Sequence, residues 1–350
     1  MRSLLLETTS SRAAVTITAE SLGEPTQLGV RIVGRELLAK LREKSEHVGA
    51  DDQPDALHDF RVAVRRLRSW VRAFDDDLST TVRPKVQRRL KRIADATRAS
   101  RDFEVHIEWL ERFARSRKGK FQTATEWLID RARDRKARAD LELQEMLNEN
   151  LERTTAQLTH GLSHYVVSLD EPSDSFSATL AELIREHANA ARKAMSRIGS
   201  IGDRNEAHEA RISAKRLRYL LEPLSEAGIG TPPLVERLAK LQDDLGGLHD
   251  AQIFGSEIAG LLAKELRTRR RAPSKTNGGA AATDENSVDR AEALRAISQR
   301  LHRDEVAAFR KLKASWLDAG VESLWREAEA IAASLESRTR VSERAYAQTG

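Results

Sequence analysis

Two segments carry the side chains best able to do chemistry. Residues 57–68 read LHDFRVAVRRLR and residues 207–218 read AHEARISAKRLR. A helical residue advances about 100°. With Arg61 at zero, His58 falls near 60°, Arg65 near 40°, Arg68 near 340° and Arg72 near 20°, all rough projections from that step. Leu57, Phe60, Val64, Leu67, Val71 and Phe74 occupy a separate arc that suits a core. In the second segment His208, Arg211, Lys215 and Arg218 repeat the stripe, and Glu222 replaces the terminal arginine, so that stripe is shorter. Arg66 and Arg216 project about 140° from their stripes and complete the pair of candidate surfaces.

Like charges one turn apart cost about a few tenths of a kcal/mol per pair. A stripe of one sign therefore calls for an anionic partner. Arginine suits phosphate because its planar fork donates two hydrogen bonds and stays charged. A repeating anion would be gripped largely through counterion release, so affinity should fall steeply with salt. The histidines add hydrogen bonds or, when protonated, charge. Further cations share faces elsewhere: Lys85, Arg89 and Arg92; Arg131, Arg135 and Arg138; Arg300, Arg303 and Arg310. Arg237 and Lys240 join the candidate set. Convergence of these faces would make a basic channel.

Other chemistries fit less well. His160 and His164 have the i,i+4 spacing of a zinc pair, yet no HExxH pattern accompanies them. His58 and His208 are each flanked by arginine, which repels a cation. Asp95, Asp102, Asp243, Asp244 and Asp250 could hold metals for hydrolysis, but read better as caps or arginine partners. No catalytic residue, metal or cofactor is expected. Nucleic acid is the alternative ligand: the stripes suit any phosphate backbone, but no helix-turn-helix, finger or RNA motif is present. Few aromatics lie among the arginines to stack bases, and Trp70 projects away from the stripe, as a packing residue would.

The elements that position these residues follow from composition and periodicity. Of 350 residues, 40% are hydrophobic and 32% charged, with 5% aromatics and 8 prolines, a mixture that reads as long amphipathic helices. The net charge is only +5, from 59 basic and 54 acidic residues, so placement of the cations matters more than their number. The absence of cysteine excludes disulfides and thiolate chemistry. No apolar run approaches a membrane span, and the apolar stretch after Met1 is too short for a secretory signal. A cytoplasmic protein is expected. Residues 1–24 read as a flexible arm. Helices are expected over about 25–47, 54–74, 80–99, 102–116 and 120–162, then 175–198, 204–227, 232–247, 249–270 and 288–334. Residues 272–287 read as a low-complexity flexible loop, and 336–350 as a frayed tail.

The two series are related. The cationic segments align at an offset of 150, and 93–105 (IADATRASRDFEV) matches 241–253 (LQDDLGGLHDAQI) at an offset of 148. Two matches in order argue for a duplicated unit, with bundles at 25–168 and 174–335.

His58-x-x-Arg61 with Arg65-Arg66-Leu67-Arg68 resembles the signature helix of the CHAD family, the histidine-bearing α-helical domain. His208-x-x-Arg211 with Lys215-Arg216-Leu217-Arg218-Tyr219 resembles it equally. Arg101-Asp102-Phe103-Glu104-Val105 and Leu245-Gly246-x-x-His249-Asp250 are similar to its second motif. The resemblance covers about residues 25–335. It implies an all-α fold of two four-helix bundles related by a pseudo-twofold axis around a basic central channel. It also implies binding of inorganic polyphosphate and association with polyphosphate granules. About 24 residues precede the helices, too few for the triphosphate-tunnel domain of some members, so its phosphohydrolase chemistry is not expected. Thr97-Arg98 stands where the family usually has Leu-Gly.

Overall fold

The computed structural model describes residues 19–48, 55–115, 120–164, 174–226, 230–271, 285–318 and 320–349. In chain order the helices are α1 (Ala19–Gly23), α2 (Thr26–Ser45), α3 (Ala56–Ala73), α4 (Asp75–Leu78), α5 (Pro84–Arg115), α6 (Lys120–Ser163), α7 (Phe176–Met195), α8 (Arg204–Glu226), α9 (Pro232–Arg271), α10 (Glu285–Leu312) and α11 (Glu322–Thr349). A π-helical turn, Lys313–Leu317, joins the last two. The described residues contain no strand beyond one isolated bridge, Pro25 to Ser175.

The amphipathic pattern accounts for most helix placements. In α3, Phe60, Val64, Leu67, Trp70 and Val71 are all buried, as their shared arc requires. Proline at the first turn starts α5 and α9 without losing a helical hydrogen bond. Ser175 caps α7, its hydroxyl accepting from the Ala178 amide at 3.3 Å.

Pseudo-twofold pairing appears in backbone detail. The Thr26 amide donates to the Asp174 carbonyl at 3.0 Å, and the Phe176 amide donates to the Glu24 carbonyl at 2.8 Å. Both residues of each bond are shifted by the repeat offset, so the starts of α2 and α7 clasp each other reciprocally. Gly29 makes this approach possible, because a Cβ there would lie 2.3 Å from the Phe176 ring. Trp70, Phe74 and Phe176 stack around the junction, with centroids 4.6 to 6.1 Å apart.

One continuous core runs through both repeats, from Leu22 to Leu335. A second cluster joins Leu110, Phe113, Leu128 and Ile129 to Phe254, Ile258, Leu294, Ile297 and Leu301. It lies where the long helices outrun the bundles: α5 has 32 residues against 20 in α2, an excess of about 18 Å of helix. The two halves thus share a core and a distal four-helix tip.

Several expected boundaries differ. The helices expected over 80–99 and 102–116 are one, α5. Ser100 and Thr97 do not break it, because the Ser100 hydroxyl donates to Asp140 Oδ1 (2.5 Å) and the Thr97 hydroxyl to the Ala94 carbonyl (2.9 Å). The helices expected over 232–247 and 249–270 are also one. Gly246-Gly247 costs about 1 kcal/mol per glycine against alanine, which burial of Leu245 and Leu248 offsets. The helix expected over 288–334 is two, interrupted by the π turn and by Gly320 at φ +82°, a left-handed position suited to glycine. Helix α1 falls inside the segment read as an arm, and residues 1–18 lie outside the described residues. Most of the segment read as a loop, 272–284, also lies outside them, while 285–287 already belong to α10. The stretch read as a frayed tail is helical in backbone through Thr349; burial of Leu335 and the Arg185–Glu336 ion pair anchor its start.

Candidate anion-binding cleft

Helices α3 and α8, equivalent in the two repeats, face each other with their cationic stripes between them. A cavity of about 420 Å³ opens there, lined by Arg68 and Arg72 from α3, Arg98 from α5, and Arg211, Lys215 and Arg216 from α8. His187 of α7 and His208 also line it. Glu186 is the one carboxylate in its wall. The apolar arcs of α3 and α8 are locked into the core, and Arg61, Arg65, Arg68, Arg211 and Lys215 are partly buried, while His58 and Arg72 at the ends of the α3 stripe are exposed.

The charges perturb one another as close cations do. Burial, and then Arg65, Arg211, Arg68 and Arg98, pushes the Lys215 amine down to about 7. Burial, then Arg65 and Arg101, lowers Arg61 to about 10. Burial lowers Arg211, opposed by Asp250 and reinforced by Arg98 and Arg65. Burial lowers Arg68, with Asp95 opposing and Arg72 reinforcing. Burial and Arg72 lower Arg216, with Glu186 opposing. His208 and His249 are both lowered by burial and then by Arg211, His249 to about 4. These histidines are neutral at neutral pH and can donate one hydrogen bond each. Arg65 Nε is buried and has no hydrogen-bond partner among the described residues. An anion between α3 and α8 would offset the part of these shifts that comes from neighbouring cations.

The pseudo-twofold axis does not carry over to charge. Arg66 Nε lies 2.6 Å from Glu222 Oε2, and Arg218 Nε lies 3.1 Å from Glu222 Oε1. Glu222 therefore holds Arg66 and Arg218 as an internal ion-pair triad. By the repeat offset, Glu222 corresponds to Arg72 and Arg66 to Arg216. An ion pair on one side of the axis is thus a facing pair of cations on the other.

The remaining sequence candidates are dispersed. His58 is exposed outside the cavity wall. Arg89 is buried and donates to Gln157 Oε1 at 2.7 Å, bracing α5 on α6. Arg135 pairs with Glu257 and lies 5.4 Å from the Phe103 ring centroid, in the distal tip with Arg131. Arg237 pairs with Glu327 at 2.8 Å, and Arg300 with Asp304 at 2.8 Å. Lys85, Arg92, Arg138, Lys240, Arg303 and Arg310 are exposed and outside the cleft. Arg98, His187 and His249 are not among the binding residues expected from the sequence. Arg98 stands out there only as a departure from the family's Leu-Gly, and His249 only as part of the second motif. His249 lies beside His208, with ring centroids 5.2 Å apart, and His187 joins the cavity through tertiary packing.

Asp102 and Asp250 are equivalent by the repeat. Asp250 is raised by burial and by Asp102, while Arg211, Arg98 and Arg101 hold it down. Asp102 also pairs with Arg98 at 3.5 Å. Among the described residues no three metal-ligating groups converge.

Fold and cleft together define a duplicated, all-helical module with a cation-lined cleft. The chain belongs to the CHAD domain family, whose model matches residues 33–259. The crystal structure of the CHAD domain from the plant Ricinus communis is similar, with 19% identity, a TM-score of 0.56, and 89% of this chain and 98% of that chain covered. PptA from Streptomyces chartreusis is similar at 16% identity and a TM-score of 0.58, over 86% of this chain and 99% of that chain. At these identities the likeness is one of fold. Among curated proteins none matches. The family's usual Leu-Gly is Thr97-Arg98 here; the helix continues through it, Thr97 is buried, and Arg98 adds a cation to the cleft.

Proposed function

We propose that this chain binds inorganic polyphosphate without transforming it, and so associates with or organises polyphosphate granules in the cytoplasm. The observation that carries the reading is the facing of like charges across α3 and α8: six Arg and Lys side chains line the cavity against one carboxylate, Glu186. Fixed cations at this density favour a flexible, repeating anion that can touch several at once. The cleft wall is poor in exposed aromatic faces, Trp70 and Tyr219 both being buried, which favours a bare phosphate chain over stacked bases. The aspartates nearest the cleft lie among arginines, which suits salt bridging better than metal binding. No helix among the described residues is long and apolar enough to cross a membrane.

Reversal of Arg65 and Arg68 to glutamate is expected to weaken polyphosphate binding by orders of magnitude with the helical circular-dichroism signal unchanged. Retained affinity in that folded variant would contradict the assignment. Incubation with polyphosphate and Mg²⁺ or Mn²⁺ is expected to leave chain length unchanged; shortening would make the protein a hydrolase. Displacement of polyphosphate by duplex DNA at equal phosphate concentration would favour nucleic acid instead.

A further inference from the structure

The cleft is not the end of the cationic surface. A second cavity of about 310 Å³ lies between α3 and α5 and shares Arg68 and Arg72 with the first. Its far wall carries Arg88 and Lys91 of α5. Both are exposed, and no carboxylate partner is found for either among the described residues. Asp75 is the one acidic side chain in this wall, and the Gln87 amide already donates to it. Four cations against one carboxylate leave a net charge of +3 (4 − 1).

The other repeat shows what this surface looks like when it is not cationic. Arg68, Arg72, Asp75, Arg88 and Lys91 correspond to Arg218, Glu222, Ser225, Glu236 and Ala239. That set has one cation and two carboxylates, a net of −1 (1 − 2), and its arginine is already paired with Glu222. Backbone positions are equivalent, but the charges differ: with Arg66, which also pairs with Glu222, the second group holds two cations against two carboxylates. A polyanion leaving the cleft meets a net attraction on one side of the axis and none on the other.

We propose that the polyanion path is one-sided: a phosphate chain held between α3 and α8 continues over Arg68 and Arg72 into a second phosphate-binding subsite formed by Arg88 and Lys91, while Glu222 and Glu236 close the mirror-related exit. This rests on the polyphosphate reading and deepens it, because it makes the ligand a chain long enough to occupy both cavities. From Arg61 to Arg72 the cations of α3 alone span about 16 Å of helix, and the second subsite lengthens the track. A short phosphate oligomer can occupy the cleft but cannot fill both subsites at once.

The test compares tripolyphosphate with long-chain polyphosphate on wild type, on Arg88→Gln/Lys91→Gln, and on Arg153→Gln/Lys264→Gln, which removes equal charge outside both cavities. All four side chains are exposed, so folding is retained. Arg88→Gln/Lys91→Gln is expected to weaken long-chain binding about tenfold and to reduce its salt slope by about 2, one per lost phosphate contact. Tripolyphosphate affinity should stay within about twofold of wild type, and so should both affinities of the charge-matched control. Long-chain affinity unchanged in Arg88→Gln/Lys91→Gln, an equal loss for the two ligands, or an equal loss in the control would overturn the one-sided path and leave the cleft standing. A wild-type protein that binds neither ligand would overturn the polyphosphate reading itself.

Discussion

Lys215 concentrates the chemistry of the cleft at the scale of a single residue. Arg65 and Arg68 approach it from α3, Arg98 from α5 and Arg211 from its own helix, and its Nζ lies 6.0 Å from the Tyr219 ring centroid. Burial and these cations hold its amine at about 7, against about 10.4 in an unfolded chain. Between those values the unfolded chain binds the extra proton, so stability rises with pH through this window and is lowest below it. Binding runs the other way. Phosphate oxygens favour the ammonium, so complex formation takes up a proton above about pH 7, and affinity falls as pH rises by up to about tenfold per unit. Polyphosphate titrations between about pH 6 and pH 9 check this. Wild type should lose affinity with pH, and Lys215→Met should bind more weakly with a flatter profile; equal slopes in the two proteins would contradict it.

The cationic stripes were legible at this scale because helical projection uses only local spacing. That spacing alone puts Arg61, Arg65, Arg68, Arg72, His208, Arg211 and Lys215 on two faces. The fate of each cation depends on its neighbours, and those were not legible. Arg66 and Arg218 share stripes or edges with free cations yet belong to Glu222. Arg89 looks like a phosphate ligand and is a buried brace to Gln157. A single sequence gives no sign of which carboxylate comes near.

Among the elements, the crossing of α2 and α7 is the most demanding contact. Gly29→Ala would place a methyl 2.3 Å from the Phe176 ring, so one helix must shift. A loss of about 1–3 kcal/mol is expected, read from urea unfolding, and wild-type stability in that variant would contradict the clasp. The α3–α8 crossing is held differently, by the Arg66–Glu222–Arg218 triad. Glu222→Gln strands two partly buried guanidinium groups, so stability should fall by about 1–3 kcal/mol while polyphosphate binding tightens. Unfolding and titration of the same variant separate the two effects; weaker binding would mean that Glu222 positions the site and does not close it. Helix existence was legible from the apolar period, but helix ends were not always so. The boundaries expected near 99–102 and 247–249 do not exist in α5 and α9, where packing of Leu245, Leu248 and the distal tip carries each helix through.

For the whole molecule, duplication sets the frame and divergence sets the charge of the cleft. The repeat was visible as two matched segments at nearly equal offsets, and the reciprocal bonds at Thr26 and Phe176 are its structural counterpart. The shared core and the distal tip were not visible, because nothing local says which amphipathic faces will meet. What the symmetric backbone builds is a cleft between two like helices, and what the unequal side chains add is a direction. The reading stands or falls with a titration of the wild-type protein with long-chain polyphosphate at several salt concentrations. With the cavity's six Arg and Lys engaged, the logarithm of affinity should fall against the logarithm of salt with a slope of about −4. A slope near zero, or no binding at low salt, would contradict it.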